Sequence, residues 1–298
     1  MTASGQASTL GIVAGRGNLP AEIARAAASN GRNVLILALK GQADNDVVSA
    51  FPHEWVRLGD GSKVLKILRG NGIRDLVFAG GVTRPSLWAI RPDARAATFL
   101  AKAGFRALGD DSLLSAILRE FESEGFRVVG ADDIWREALM PAGTLTRTRP
   151  DDGHWRDIAR GAAVANALGA ADVGQGVVVQ QGIVLAVEAI EGTDAMLARA
   201  GSLRRDGPGG VLVKLAKPGQ DMRVDLPTVG LETVKGAIGA GLCGIAVEAG
   251  AALLLDRQLM LAAADDAGLF VTGIGPSGLP AAASAETGDS GPAATNAG

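Results

Sequence analysis

Four short apolar runs punctuate the first half of the chain: LGIVAG (10–15), NVLILAL (33–39), EWVRLG (54–59) and DLVFAGG (75–81). The second and fourth are rich in Val, Ile, Leu and Phe, as strands buried on both faces of a parallel sheet are. Helical periodicity fills several of the gaps. LPAEIARAAASNG has a proline near its start and a glycine at its end, the asymmetry that helices favour. SKVLKILRGNG puts Val64, Leu65 and Leu68 on one face. DSLLSAILREFESEG (111–125) carries Leu114, Ile117, Leu118 and Phe121 at helical spacing, with Asp111 or Ser112 as its cap. FRVVGADDI then reads as another strand. Strands alternating with helices predict a parallel sheet with helices on both faces.

The pattern changes after MPAGTLTRTRPDDG (140–153), which has no periodicity and two prolines and reads as an interdomain linker. WRDIARGAAVANALG is helical. GVVVQQGIVLAVEAIEG reads as a hairpin joined at Gln181–Gly182. GVLVKLAKPGQ, a helical LETVKGAIGAG, CGIAVEAGAALLLD, the helix RQLMLAAADDAG and the strand LFVTGI follow. Residues 275–298 are Gly, Pro, Ala, Ser and Thr without apolar period and are expected to be disordered. The fold class predicted is α/β: an N-terminal Rossmann-like parallel-sheet domain over 8–139 and a C-terminal mixed α/β domain over 154–274.

Composition narrows the function. A length of 298 residues suits two domains, and 47% hydrophobic residues supply a core for each. A net charge of −3 gives no basic field for nucleic acid, and 4% aromatics with no tyrosine give no stacking platform for single strands. One cysteine, Cys243, and two histidines, His53 and His154, exclude a disulfide framework and a Cys/His zinc cluster. No basic leader followed by an apolar stretch is read at the N-terminus, and no uncharged apolar run reaches about 18 residues. A cytoplasmic protein is expected, with contact at a membrane surface left open.

Four constellations carry candidate chemistry. In GIVAGRGNLP, Gly15 and Gly17 sit at a strand-to-helix turn where a phosphate can approach backbone N–H groups, unless the glycines serve packing alone. Pro20 stands where the dinucleotide fingerprint needs its third glycine, and Lys40 stands where a ribose-binding acid is expected. Both departures argue against NAD. Strand ends supply Asp60, Gly80, Gly81 and, in GGVTRP, Arg84, with Gly109 and Asp110 in the LGDD turn. All are candidate substrate contacts, because ligands of open α/β sheets bind at carboxyl ends of strands. Asp60 can equally cap the helix that follows it, and Arg84 can equally be a surface residue. VLAVEAIEGTDAM places Glu188 in an otherwise apolar strand, where an acid is costly unless paired, and adds Glu191, Thr193 and Asp194 within a turn.

KLAKPGQDMRVDLPTVG (214–230) is the densest of the four. Lys214 and Lys217 are compact donors suited to phosphate, and Asp221 and Asp225 are hard oxygen ligands. Magnesium typically takes one or two carboxylates together with substrate phosphate oxygens. A solvated charged loop is the competing reading. The residues alone therefore point to metal-assisted chemistry on a phosphate ester or anhydride.

GIVAGRGNLP, FAGGVTRP, GDDSLL, VLAVEAIEGTDAM, VKLAKPGQDMRVDLPTVG and GIAVEAG occur in the order found in one bacterial family. Over about residues 9–274 the chain resembles the LpxI-type UDP-2,3-diacylglucosamine pyrophosphatases of lipid A synthesis. The resemblance implies hydrolysis of UDP-2,3-diacylglucosamine to UMP and 2,3-diacylglucosamine 1-phosphate (lipid X), with Mg2+ or another divalent cation. It implies two domains with substrate between them, a homodimer, and an essential metal-associated aspartate in the DLP segment, here Asp225. The substrate arises at the inner membrane, so peripheral contact with its cytoplasmic face is expected. Its acyl chains need an apolar groove, for which KGAIGAGLCGIAVEAG and RGAAVANALGAA are candidates, unless their small residues serve close helix–sheet packing. Two other readings stay open: a different nucleotide-sugar or NAD(P)-dependent Rossmann-type enzyme, and a non-catalytic nucleotide- or lipid-binding regulator.

Overall fold

A computed structural model describes residues 9–83, 92–103, 110–219, 221–224 and 226–280. The first half holds β1 (Leu10–Ala14), α1 (Leu19–Ser29), β2 (Val34–Leu39), α2 (Asn45–Val48), β3 (His53–Val56), α3 (Gly61–Gly70), β4 (Asp75–Ala79), α4 (Ala94–Ala103), α5 (Asp110–Ser123), β5 (Arg127–Val128) and α6 (Ala131–Ile134). Its five strands form one parallel sheet in the order β3-β2-β1-β4-β5. The run of buried side chains along β1 and β4 has the physical cause expected of it: helices cover both faces of the sheet. Leu10, Ile12, Ile23 and Ile36 fill one side, and Leu37, Leu65, Leu68 and Leu76 the other.

The second half holds β6 (Gly143–Thr144), α7 (Asp152–Ala170), β7 (Gly176–Gln180), β8 (Ile183–Val187), α8 (Gly192–Ser202), β9 (Val211–Lys214), β10 (Thr228–Val229), α9 (Leu231–Gly239), β11 (Gly244–Glu248), β12 (Leu253–Leu254), α10 (Arg257–Asp266) and β13 (Phe270–Ile274). Six of its strands form a mixed sheet in the order β6-β13-β11-β9-β7-β8. The β7–β8 hairpin turns at Gln181 and Gly182, whose φ angles of 52° and 77° are those of a tight hairpin turn. The protein is thus an α/β molecule with a parallel Rossmann-like sheet followed by a mixed one.

Three features differ from the pattern-based reading. Gly143 and Thr144, inside the aperiodic stretch 140–153, pair antiparallel with β13, so part of that stretch is an edge strand of the second sheet. Two residues are too few to show a period. Of the two small-residue stretches considered for an acyl groove, the inner face of RGAAVANALGAA is closed by packing. Gly161, Ala162 and Ala165 of α7 are buried, and a Cβ at Gly161 would lie 2.5 Å from Val213 of β9. Finally, β10 and β12 form a separate two-stranded parallel ladder at the junction of the halves. From it Leu253 reaches into the apolar cluster of Leu10, Ile12 and Ile36, with Leu226 packed beside it. Residues 281–298 of the C-terminal stretch lie outside the described residues.

Candidate active site

A cavity of about 270 Å³ opens between the two sheets. From the first half it takes Arg16, Gly17, Asn18 and Leu19, which follow β1, and Gly80 and Gly81, which follow β4. Strand order reverses between β1 and β4, so the cavity lies at the carboxyl end of the sheet at its topological switch point. From the second half it takes Gln175, Lys214, the loop residues Met222 to Val224, and Leu226 to Thr228. Three cations, Arg16, Lys214 and Arg223, and no carboxylate are among the described lining residues. Leu19, Phe78, Leu226, Leu253 and Leu255 supply an apolar portion. A wider depression beside Lys66, Arg69 and Arg95 lies on the outer side of α3, and its arginines pair with Glu124.

Glycine 15 and glycine 80 exist for a close backbone approach. A Cβ at Gly15 would sit 2.4 Å from the Gly81 carbonyl oxygen, and one at Gly80 would sit 2.5 Å from that of Arg16, at a φ of +88°. The crossing is tied by Arg16 N–H to Gly81 O at 2.8 Å and Gly81 N–H to Arg16 O at 3.1 Å. The phosphate-cradle idea for this turn is therefore narrowed. Gly15 N–H donates to Ala79 O, and Gly17 N–H donates to the Asp44 carboxylate at 2.8 Å. Among the described residues, only the N–H groups of Asn18 and Leu19 in this turn lack a protein acceptor and can serve an anion at the start of α1.

Lys214 ends β9 in a buried position, 6% exposed. Its Nζ donates to Thr193 Oγ1 at 2.8 Å and weakly to Thr228 O at 3.4 Å. Thr193 Oγ1 in turn donates to Glu188 Oε1 at 2.6 Å. The structure thus joins three residues that the sequence left in two separate stretches. Glu191 is exposed and pairs with Arg199 at 2.8 Å, and Asp194 is exposed in the first turn of α8.

Among the described residues, the remaining candidates make other contacts. Lys217 pairs with Asp172 at 2.8 Å and does not line the cavity. Asp221 accepts a forked pair from Arg223, with Nε to Oδ1 at 2.9 Å and Nη2 to Oδ2 at 2.7 Å. That guanidinium holds the Asp221 carboxyl below its usual range, against a smaller opposing effect of burial. Arg223 Nη1 also reaches Glu122 of α5 at 2.6 Å, linking the cavity loop to the first half. Asp60 does not cap α3 with its side chain. It accepts from Arg57 N–H at 3.1 Å, while Asp93 accepts from Ser62 N–H at 2.7 Å. Asp110 opens α5. Arg84, Gly109 and Asp225 lie outside the described residues, but Val224 and Leu226, on either side of position 225, both line the cavity.

Family models place the chain. The LpxI N-terminal domain matches residues 9–138 and the LpxI C-terminal domain matches residues 141–272. The chain belongs to the LpxI family. A relative from Caulobacter vibrioides, UDP-2,3-diacylglucosamine pyrophosphatase LpxI, is 44% identical over 278 residues, covering 91% of this chain and 99% of that protein. In this LpxI-family chain the seam between the two matched domains, near residue 140, is the seam between the two sheets. No helix among the described residues is long and apolar enough to cross a membrane.

Sequence reasoning passed over Arg16, Arg223 and Gln175. The first two lie inside the very stretches it singled out. Asking which cations there can meet an anionic ligand, rather than which match a glycine motif, would have found them.

Proposed function

We propose that the chain hydrolyses the pyrophosphate bond of UDP-2,3-diacylglucosamine, releasing UMP and 2,3-diacylglucosamine 1-phosphate, in lipid A biosynthesis. The observation that carries this reading is the interdomain cavity, with three cations and no carboxylate among its described lining, in a chain 44% identical to a UDP-2,3-diacylglucosamine pyrophosphatase. A diphosphate is recognised by such a set. Lys214 acts as a point charge, Arg16 as a planar fork, Arg223 as a positive charge fixed in place by Asp221 and Glu122, and the Asn18 and Leu19 amides act at the positive end of α1. Their role is to hold the anhydride in place and to offset charge that builds on phosphoryl oxygens as the bond breaks. Leu19, Phe78 and Leu226 form the near end of an apolar path for the acyl chains, since each buried CH₂ is worth about 0.8 kcal/mol.

A divalent cation belongs to this reading, held by Asp225 and by substrate phosphate oxygens. Asp221 does not suit that ligand set, because both its oxygens are engaged by Arg223. When bound, such an ion neutralises and polarises the phosphoryl group. Action as a homodimer at the cytoplasmic face of the inner membrane is part of the proposal.

The test is UMP release from UDP-2,3-diacylglucosamine by the purified chain, with magnesium and with EDTA. Turnover with magnesium and none with EDTA is expected. Absence of turnover, or a thermal shift with NAD(P) and none with UMP, overturns the proposal in favour of a regulator or a nicotinamide enzyme.

A further inference from the structure

Two buried charges stand on either side of Gly176 in the second sheet. Gly176 of β7 is paired with Lys214 of β9, and on its other side its carbonyl accepts the Glu188 N–H at 2.8 Å. Glu188 is 7% exposed and Lys214 6%. A Cβ at Gly176 would lie 2.7 Å from Glu188 Oε2, so the missing side chain leaves the lane in which the carboxylate lies. Thr193, in the first turn of α8, closes the gap between the two charges.

The polarity of this chain of contacts is fixed. An ammonium has only donors and a carboxylate only acceptors, so the Thr193 hydroxyl must accept from Lys214 and donate to Glu188. Glu188 Oε2 is buried and has no partner among the described residues. A half-satisfied buried carboxylate costs stability, so packing alone does not account for it. Its position does: it is the counter-charge, one hydroxyl removed, of the lysine that faces the cavity.

We propose that Glu188 is a positioning residue which acts through Thr193 to hold the Lys214 ammonium at the cavity wall, and that neither Glu188 nor Thr193 contacts the substrate. This deepens the reading of the cavity as a diphosphate site and rests on it. Lys214 has three N–H donors, two of which go to Thr193 and Thr228. The third serves a phosphate oxygen only if the Thr193 contact sets the rotation of the amine.

The experiment combines variants in a double-mutant cycle, read both as kcat/KM for UMP release and as the Kd for UMP by calorimetry. Lys214→Met is expected to lower kcat/KM about 100-fold, the scale of one lost charge-stabilising donor. Thr193→Val keeps the shape but cuts the link, and is expected to cost about tenfold, the worth of one charge-assisted hydrogen bond at the low end. Thr193→Ser restores activity to near the wild-type value. Glu188→Gln falls between them. In the Lys214→Met background, Thr193→Val and Glu188→Gln are expected to cost less than about twofold further, because residues acting through one group are non-additive. A full multiplicative loss in that background, or failure of Thr193→Ser to restore activity, overturns the relay. If the wild type binds UMP without turning over, the catalytic reading fails while the same cycle in Kd still decides the relay. Absence of UMP binding by the wild type overturns both.

Discussion

Replacing Asp221 with asparagine separates two roles that an aspartate beside a phosphate site can have. In the structure it is an anchor for Arg223, through contacts at 2.9 and 2.7 Å, and Arg223 carries that anchor into the cavity wall. Asparagine keeps one acceptor and presents an NH₂ where the other oxygen was, so one charge-assisted bond is lost and a donor faces a donor. Such a bond is worth about 1.5–3 kcal/mol when shielded. The two side chains are 27% and 40% exposed, and solvent screening lowers the figure to about 1–2 kcal/mol. At about 1.4 kcal/mol per tenfold, kcat/KM is expected to fall about 5- to 30-fold. The magnesium concentration giving half-maximal rate is expected to stay where it was, because Asp221 contributes no ligand. Glu122→Gln, which trims the outer contact of the same guanidinium, is expected to act in the same direction and less. Initial rates of UMP release across a magnesium titration give both numbers. A rise of tenfold or more in the half-maximal magnesium concentration, with activity recovered by excess metal, would make Asp221 a ligand and refute the reasoning.

Leu253→Ala removes a fully buried side chain that ties the second half into the first core, and is expected to destabilise the protein by about 2–5 kcal/mol, read from urea unfolding. Gly15→Ala forces a Cβ against a carbonyl oxygen and is expected to lower the thermal midpoint clearly, with overpacking on the order of 1–3 kcal/mol. Gly17→Ala meets open space and strains only its φ of +84°, about 1–2 kcal/mol, yet it narrows the cavity and is expected to weaken UMP binding more than Gly15→Ala does in the folded fraction. Asp75 is buried and held below its ordinary value of 3.8, first by its hydrogen bonds from Arg127 and then by Arg32, against the opposing effect of burial. A lowered folded-state value contributes stability that is present above the unfolded value and lost as pH falls through the folded one. The stability gap between wild type and Asp75→Asn is therefore expected to be constant near neutrality and to close in acid below 3.8; a gap that widens there would contradict it.

The elements most legible in the sequence are those with strong local causes. LGIVAG, NVLILAL and DLVFAGG became strands because apolar runs of that length bounded by turn residues have little other use, and Gln181–Gly182 became the hairpin turn. The site was legible in its parts and hidden in its assembly. Lys214 and Thr193 meet only because β9 and α8 are brought together, 21 residues apart in sequence, and Lys217 is drawn off by Asp172 at a separation of 45. Spacing within a loop carries no signal of this kind. The same holds for Asp221 and Arg223, two residues apart, whose fork depends on the turn at 222–224. The seam was hidden too, since Leu253 reads as an ordinary core residue of its own half until the two halves are docked.

The central claim is that the cavity between the sheets is where the anhydride is split, with Asp225, the residue between the cavity-lining Val224 and Leu226, essential to the reaction. It is tested most directly by measuring UMP release from UDP-2,3-diacylglucosamine at saturating magnesium for the wild type and for Asp225→Ala, with circular dichroism confirming that both are folded. The account predicts steady turnover by the wild type and a rate for Asp225→Ala no higher than that of the wild type in EDTA. Wild-type turnover by Asp225→Ala would contradict it.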